Sequence, residues 1–450
     1  PGLVGWGSSE LARQPRQEKT SVVMSEQKDP LVGIVTTFRF AAHDEETVER
    51  CWSVVESFLL YHLAIGFDHI FLYSDADDGT DACYIERIEA GFSESEVTVT
   101  ARSQSQVHRA CVRSRCDLWD DLGPFYDTEV QGRQSLNAEL AMGMAAERGL
   151  RWLLHIDIDE ASLGTHLNAL PLFYTSQASV VPHFRWLDTL GVEHMTYANH
   201  EGVPEREDIG DFFTEVTLFR RHHLSLPLSG PVHASMQWWC RRTGHGQYML
   251  VYDNGKSAVR VLPGQVFPKN VHRWGRGQRP APAAAEATAA AAGGKTAARG
   301  EDSPPPLVSR TALADPRDLR LEQFLSCPEP CILHYVTCGL DWLLDKYCLL
   351  GRFPSAWFGG RLPIAPSFHL DARDAGAALE GGAGGNCSAP LGGAGDASGP
   401  AQAARRLFRE QVLLSPERDA AELGKQTELG VLWRLTTVPE VIRTAGEKRG

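Results

Sequence analysis

The sequence predicts an α/β protein built on a Rossmann-like, mostly parallel sheet flanked by helices. Two observations carry this expectation. Short apolar runs rich in β-branched residues alternate with amphipathic helical stretches over the first 160 residues, and an acidic cluster directly follows the fourth such run. Strands alternating with helices imply right-handed crossovers and parallel pairing. The 450 residues would allow two or three domains. No internal repeat is present, and we read one principal domain carrying inserts.

Residues 1–29 are polar and aperiodic and are expected to form a disordered leader. Because the first residue is Pro1, not Met, the natural N-terminus is expected to lie further upstream. The principal domain is placed at 30–374. Leu31-Val32-Gly33-Ile34-Val35-Thr36-Thr37 is a run of the kind buried on both faces of a parallel sheet, and is the first strand. Val48, Cys51, Trp52, Val55, Phe58, Leu59 and Leu63 recur at three- and four-residue spacing, which predicts a helix over 47–63 stopped by Gly66. His69–Tyr73 and Val97–Thr100 read as the second and third strands, with a helix near 80–91 between them. Residues 133–149, rich in Leu, Ala, Met and Glu, predict a helix that ends at Gly149 and feeds a fourth strand, Trp152–Ile156. Further strands are expected at 179–186 and 212–219, within a later half of mixed strands, loops and short helices.

Two low-complexity stretches interrupt that half. Residues 276–306 are dominated by Ala, Gly and Pro and read as a surface insert; residues 375–404 are dominated by Gly and Ala and read as a linker. Neither offers enough large apolar side chains to pack a core. Residues 405–450 form a C-terminal segment expected to pack on the domain.

The chemistry concentrates at His155-Ile156-Asp157-Ile158-Asp159-Glu160, three carboxylates within four residues after an apolar strand. If strand alternation persists, Asp157 and Asp159 share one face. In open α/β sheets ligands bind at the carboxyl edge of the strands, where this cluster falls. Two hard oxygen ligands there suit Mg²⁺ or Mn²⁺, with a substrate diphosphate completing the coordination. An isolated Asp-x-Asp more often caps a turn; the series of strand–helix units before this one favours the metal reading.

The whole-chain balance excludes other classes. With 44 basic against 57 acidic residues the formal net charge is -13, which argues against a nucleic-acid partner and against anionic lipid. Ten cysteines lack paired C-x-x-C spacing, so structural zinc is not expected, although Cys327 with Cys331, or Cys111 with Cys116, would be able to bridge in an oxidising compartment. Asn386-Cys387-Ser388 fits the glycosylation acceptor pattern within a stretch where such triplets arise by chance. No apolar run is long enough to span a bilayer. Membrane association is expected only if an N-terminal anchor precedes this sequence, in which case the Golgi or secretory lumen is the expected compartment, and the cytoplasm otherwise.

Several segments together resemble the family-2-like and family-92-like glycosyltransferases, a group with the GT-A fold. They are Ile34-Val35-Thr36-Thr37, Tyr61 through Ile70, Trp152 through Glu160, Asn254 through Arg260, Val271-His272, Leu333-His334-Tyr335, Asp345-Lys346-Tyr347 and Gly351-Arg352-Phe353, over roughly residues 31 to 360. The resemblance implies a GT-A domain with mixed acceptor-side elements toward the C-terminus. It also implies transfer of a sugar from a nucleotide sugar, commonly a UDP-sugar, to the hydroxyl of a glycan, glycoprotein or other acceptor. Asp157 and Asp159 would hold Mn²⁺ or Mg²⁺, with His334 or His272 as a third ligand, and the anomeric centre would invert. Inversion needs a general base to deprotonate the acceptor. Asp188, Asp341 and Glu160 are the candidates, against the plainer readings of a loop carboxylate for Asp188 and a helix cap for Asp341.

For the donor, Thr36, Thr37 and Arg39 end the first strand and Asp75 the second, and both edges face one crevice. Arg133 and Gln134 open the helix before the acidic strand, Asp157 faces the same crevice, and Lys256 is a candidate phosphate contact. The chain departs from the family after the first strand: relatives show a basic-Asn-Glu triplet where this sequence has Phe38-Arg39-Phe40-Ala41-Ala42-His43-Asp44-Glu45. The base and ribose contacts therefore stay unassigned. Trp186, Trp238, Trp239 and Trp357 are aromatics able to stack on sugar or to pack a core. Rival classes fit less well. A haloacid-dehalogenase-type phosphatase would want Thr shortly after the second Asp, and a nucleotidyltransferase a Gly-rich loop after strand one, whereas residues 38–45 hold no glycine. A non-catalytic carbohydrate-binding protein on the same fold remains the non-enzymatic alternative.

Overall fold

The structure is a computed structural model that describes residues 29–449 apart from 41–43, 77–78, 80, 102–104, 164–178, 228, 278–329, 352, 361, 365–366 and 383–399. Strands β1 (Val32–Phe38), β2 (His69–Ser74), β3 (Val97–Thr100) and β4 (Trp152–His155) pair in parallel in the order β3-β2-β1-β4. Helices α1 (Glu45–Ala64), α2 (Ala82–Gly91), α3 (Gln106–Arg115), α4 (Trp119–Leu122) and α5 (Val130–Glu147) connect them. β1 is buried at every position, as a central strand covered on both faces requires. Helix α1 starts where Asp44 accepts a hydrogen bond from the Thr47 amide at 2.7 Å, with Glu45 and Glu46 in the first turn complementing the helix dipole. It stops at Gly66, whose φ of 100° suits glycine beyond a helix end.

The parallel sheet is extended by antiparallel β9 (Lys256–Arg260) and β6 (His194–Tyr197), so its order is β3-β2-β1-β4-β9-β6. A second sheet runs β15 (Leu432–Arg434), β8 (Leu218–Arg220), β7 (Asn199–Gly202), β12 (Cys331–His334), β5 (Glu160–Leu163). Two hairpins complete the strands: β10 (Val266–Asn270) with β11 (Arg273–Arg276), and β13 (Ala356–Trp357) with β14 (Leu362–Pro363). Residues 156–159 thus join β4 of the first sheet to β5 of the second. The acidic cluster is the turn by which the chain changes sheets.

Several expectations are corrected. Residues 179–186 are not a strand: α6 (Val181–Thr189) begins there, with Pro182 in its first turn and His183, Phe184 and Leu187 on its buried face. The β-branched pair Val180-Val181 gave the strand signal, and proline's fixed φ set the helix start instead. Residues 212–219 split into the short helix α7 (Phe212–Glu215), capped by Asp211, and the strand that begins at Leu218. α8 (Gly230–Arg242) and α9 (Leu340–Leu350) follow. The ends of the 375–404 stretch are helical, in α10 (Phe368–Gly382) and α11 (Pro400–Leu407), because alanine, which makes the composition look simple, is also the strongest helix former. Cys111 and Cys116 are free thiols rather than a disulfide, and Cys116 donates to the Leu136 carbonyl; Cys331 is buried in β12. Residues 1–28, the insert from 278 on, Cys327 and Asn386-Cys387-Ser388 lie outside the described residues.

The C-terminal segment adds α12 (Pro416–Glu428), then β15 against β8, then α13 (Thr437–Arg449), whose Val438 and Ile442 join the core that contains the α1 side chains. Among the described residues no helix is long and apolar enough to cross a membrane.

Candidate active site

The carboxyl ends of β1, β2 and β4 open into a cavity of about 520 Å³. Its wall includes Thr37, Arg39, Asp75, Arg133, Gln134, Asp157, Asp159 and His272 from the sequence-based set. α9 and the segment after it, with Lys346, Phe353 and Trp357, close the far side.

Asp157 and Asp159 reach this cavity from a turn, not from an extended strand. The Glu160 amide donates to the Asp157 carbonyl at 3.1 Å, and the Asp157 amide donates to Glu160 Oε2 at 2.8 Å. The turn brings the two aspartates to one wall, where strand alternation alone is interrupted. Asp157 Oδ2 accepts from Lys256 Nζ at 2.6 Å and from Tyr252 Oη at 3.4 Å, while Oδ1 accepts from Gln134 Nε2 at 3.2 Å. Asp159 Oδ2 accepts from Lys346 Nζ at 2.8 Å; its Oδ1 faces His334 Nε2 at 3.8 Å, beyond hydrogen-bond range.

These contacts set the charges. Burial works to raise the Asp157 pKa, but the Lys256 ammonium outweighs it and holds the carboxyl below the usual range; Lys346 does the same for Asp159. Glu160 is fully buried, and burial pushes its carboxyl up to about 8 despite Lys256 Nζ at 3.6 Å. Burial lowers Lys256, yet Asp157 and Glu160 reverse the sign and keep it a cation. His272 and His334 are both held neutral by burial, His334 at about 4. His272 donates Nδ1–H to the Gly255 carbonyl at 2.9 Å, which leaves the Nε2 lone pair free. Glycine is required at 255: its φ is 60°, and a Cβ would lie 1.9 Å from the Tyr197 carbonyl oxygen.

On the donor-side wall Arg133 grips Asp75 in a buried bidentate pair, Nε to Oδ1 at 2.6 Å and Nη2 to Oδ2 at 2.7 Å, and donates from Nη1 to the Tyr126 carbonyl. Thr37 Oγ1 accepts from Asn137 Nδ2, and Arg39 is exposed at the rim. Thr36 points away from the cavity, as its neighbour's alternation requires; its Oγ1 is buried with no partner among the described residues. Lys256 is buried beneath the carboxylates with its donors turned to Asp157, Glu160 and the Val271 carbonyl, so it is not open to a phosphate.

The three candidate bases are not at the cavity wall. Asp188 lies at the opposite edge of the sheet, where its buried carboxylate accepts from Trp152 Nε1 at 3.0 Å and pairs with Arg151 at 2.6 Å and Arg260 at 2.7 Å. Asp341 is in the exposed first turn of α9, 3.6 Å from Arg50. Glu160 is sealed under Asp157. Of the four tryptophans, Trp239 is core, Trp186 and Trp238 pack against clusters, and Trp357 alone lines the cavity.

Lys346, Tyr252 and His369 also line the cavity and were not singled out from sequence, although Asp345-Lys346-Tyr347 was noted. A lysine nearly two turns into an amphipathic helix carries no local signal of the carboxylate it meets. Among the described residues one trio of ligand atoms lies within 4.8 Å, that of His222, His223 and Asp253. Both His222 nitrogens are already engaged there, by the Asp253 carbonyl and the Leu224 amide.

No family model matches the chain. It is 28% identical over 226 residues to an Arabidopsis thaliana protein named glycosyltransferase-like, covering 48% of this chain and 45% of the relative. A second Arabidopsis thaliana protein of that name is 24% identical over 295 residues, covering 61% of this chain and 52% of the relative. The chain spans about half the length of these curated relatives. Their names support a glycosyltransferase family. Among solved structures, mouse xyloside xylosyltransferase 1 in its apo form is similar over 52% of this chain and 68% of its own, at 11% identity and a TM-score of 0.24.

Proposed function

We propose that this chain transfers a sugar from a nucleotide-sugar donor, a UDP-sugar, to a hydroxyl of a glycan, glycoprotein or other acceptor, with inversion and with Mn²⁺ or Mg²⁺ on a GT-A fold. One observation carries the reading: a single turn at the carboxyl edge of a parallel sheet sets two aspartates on one cavity wall beside an imidazole with a free nitrogen.

The chemistry of the donor set suits a divalent cation, although the ligand atoms of Asp157, Asp159 and His272 do not all lie within 4.8 Å of one another and would have to close on the ion. Asp157 and Asp159 are ionised, and His272 has the tautomer in which a backbone carbonyl takes Nδ1–H and Nε2 is left to ligate. Asp157, Asp159 and His272 would hold the ion, with His334 behind Asp159 as the alternative imidazole. Bound there, the cation would act as a Lewis acid for negative charge developing on the departing diphosphate. The chain's own residues do the rest. Lys256 and Glu160 fix the Asp157 side chain and its backbone from below. Lys346, partly exposed beside Asp159, is able to move between that carboxylate and a phosphate oxygen. Arg133 and Asp75 brace the donor-side wall as one unit.

The test is turnover of a panel of nucleotide sugars by purified protein with Mn²⁺, then with a chelator. At least one donor should be consumed, chelation should stop it, and Asp159→Ala should cut the rate by about 100-fold while the melting temperature holds. Consumption of no donor would sink the proposal in favour of a carbohydrate-binding role. Pyrophosphate release from a nucleoside triphosphate would favour a nucleotidyltransferase.

A further inference from the structure

We propose that Trp357 is the wall on which the donor's nucleobase stacks, and that Glu129 is the positioning residue that holds it there. The inference rests on the nucleotide-sugar reading and adds to it a specific recognition element.

Trp357 sits on the β13–β14 hairpin, which turns through Phe358, Gly359 and Gly360. Their φ values are 53°, 64° and 92°, and Phe358 is the sole non-glycine residue with positive φ among those described. A bulky side chain in that conformation needs an external reason. Glu129 supplies it. Its buried carboxylate accepts from the Phe358 amide at 2.6 Å and the Gly359 amide at 3.4 Å, across 229 and 230 residues of chain. The Phe358 ring meets Phe125 at 5.5 Å, so the hairpin tip is fastened at two points.

Glu129 is the residue before α5, and four residues later the same helix presents Arg133 to Asp75 at the end of β2. The hairpin is therefore anchored to the donor half of the cavity. Trp357 stacks on Phe353 at 5.4 Å and 23°, and Arg373 lies 5.4 Å from the Phe353 ring. Other aromatics on the cavity wall are packed by several rings: Phe40 by Phe38, Tyr84 and Trp342, and Tyr252 by His272, His334 and His369. Trp357 is half-buried, and among the described residues Phe353 is the one ring packed against it, which leaves a flat face for a ligand. On the loop after β1, Arg39 is an exposed cation and Phe40 is already engaged, so neither offers such a face. A planar base next to an Arg–Asp pair on the parallel half of the sheet is the occupant that matches.

Calorimetric titration with UDP, and with pyrophosphate as the base-free probe, both with Mg²⁺, tests this. Trp357→Ala should weaken UDP by about tenfold and leave pyrophosphate unchanged, while Trp357→Phe keeps most of the affinity. Glu129→Ala should reproduce the selective loss, and Glu129→Gln, which retains an acceptor for the Phe358 amide, should restore most of it. UDP binding by Trp357→Ala equal to wild type overturns the inference while the donor reading stands. An equal loss for both probes also overturns it, since that means general damage to the site. Failure of the wild type to bind either probe removes the donor reading and this inference with it.

Discussion

Asp157 and Asp188 are both partnered carboxylates, yet their surroundings give them opposite work. Asp157 opens to the cavity, and its ammonium partner lies beneath it. The Asp188 side chain is 3% exposed and ties Trp152, Arg151 and Arg260 together where β4 begins and β9 ends. Removing it strands Arg260 and the indole N–H, so Asp188→Ala should lower unfolding free energy by about 3 kcal/mol in a denaturant titration while donor turnover stays within twofold. A large fall in turnover with unchanged stability would return Asp188 to the list of bases. The difference was not legible in sequence. The position of Asp157 at a strand end is local information, whereas the partners of Asp188 come from neighbouring strands. The same holds for Lys346 and Tyr252, which reach the aspartates only through tertiary packing.

Among elements, α1 was the most legible, because its stripe of apolar residues has a single period over five turns. The stripe did not reveal what His62 does. Its Nδ1 donates to the Phe58 carbonyl at 2.8 Å, and its Nε2 accepts from the Ser162 amide at 3.2 Å. The ring thus links α1 to β5, the first strand after the acidic turn. His62→Leu leaves the Ser162 amide buried and unpaired, a cost of about 2 kcal/mol. Because β5 anchors the far end of the turn, the variant should also loosen Asp159 and lower donor turnover, while α2 and β3 keep their hydrogen-exchange protection. Protection lost evenly across both sheets would contradict this local account. Short elements were harder to read: at 179–186 two valines outweighed Pro182, and at 212–219 a four-residue helix and a three-residue strand share one apolar stretch.

At the scale of the molecule, the parallel half was predictable because each strand is followed by its own crossover helix. The second sheet was not, since its order, β15-β8-β7-β12-β5, joins segments from residue 160 to residue 434 whose pairing has no local signature. Closing these sheets around one core buries imidazoles as neutral groups. His62, His183 and His194 are each pushed down to about 3 by burial, from an ordinary value of 6.5. With the folded-state pKa depressed, the unfolded chain takes up protons below 6.5 that the native chain refuses. The stability these residues allow is complete above 6.5 and is lost as the pH falls toward 3. Each costs about 1.4 kcal/mol per pH unit well inside that window. Buried Glu160, Glu139 and Asp211, pushed up to about 8, 7 and 6, act in the opposite sense, but the depressed imidazoles are more numerous, so the denaturation midpoint should fall from pH 6.5 to pH 5, before most unfolded-state carboxylates titrate. His183→Phe, which keeps a ring beside Phe184 and Trp186, should make the decline shallower. If His183→Phe left the slope unchanged, that imidazole would be gaining a proton inside the fold, and the core around α6 would be wetter than its packing implies.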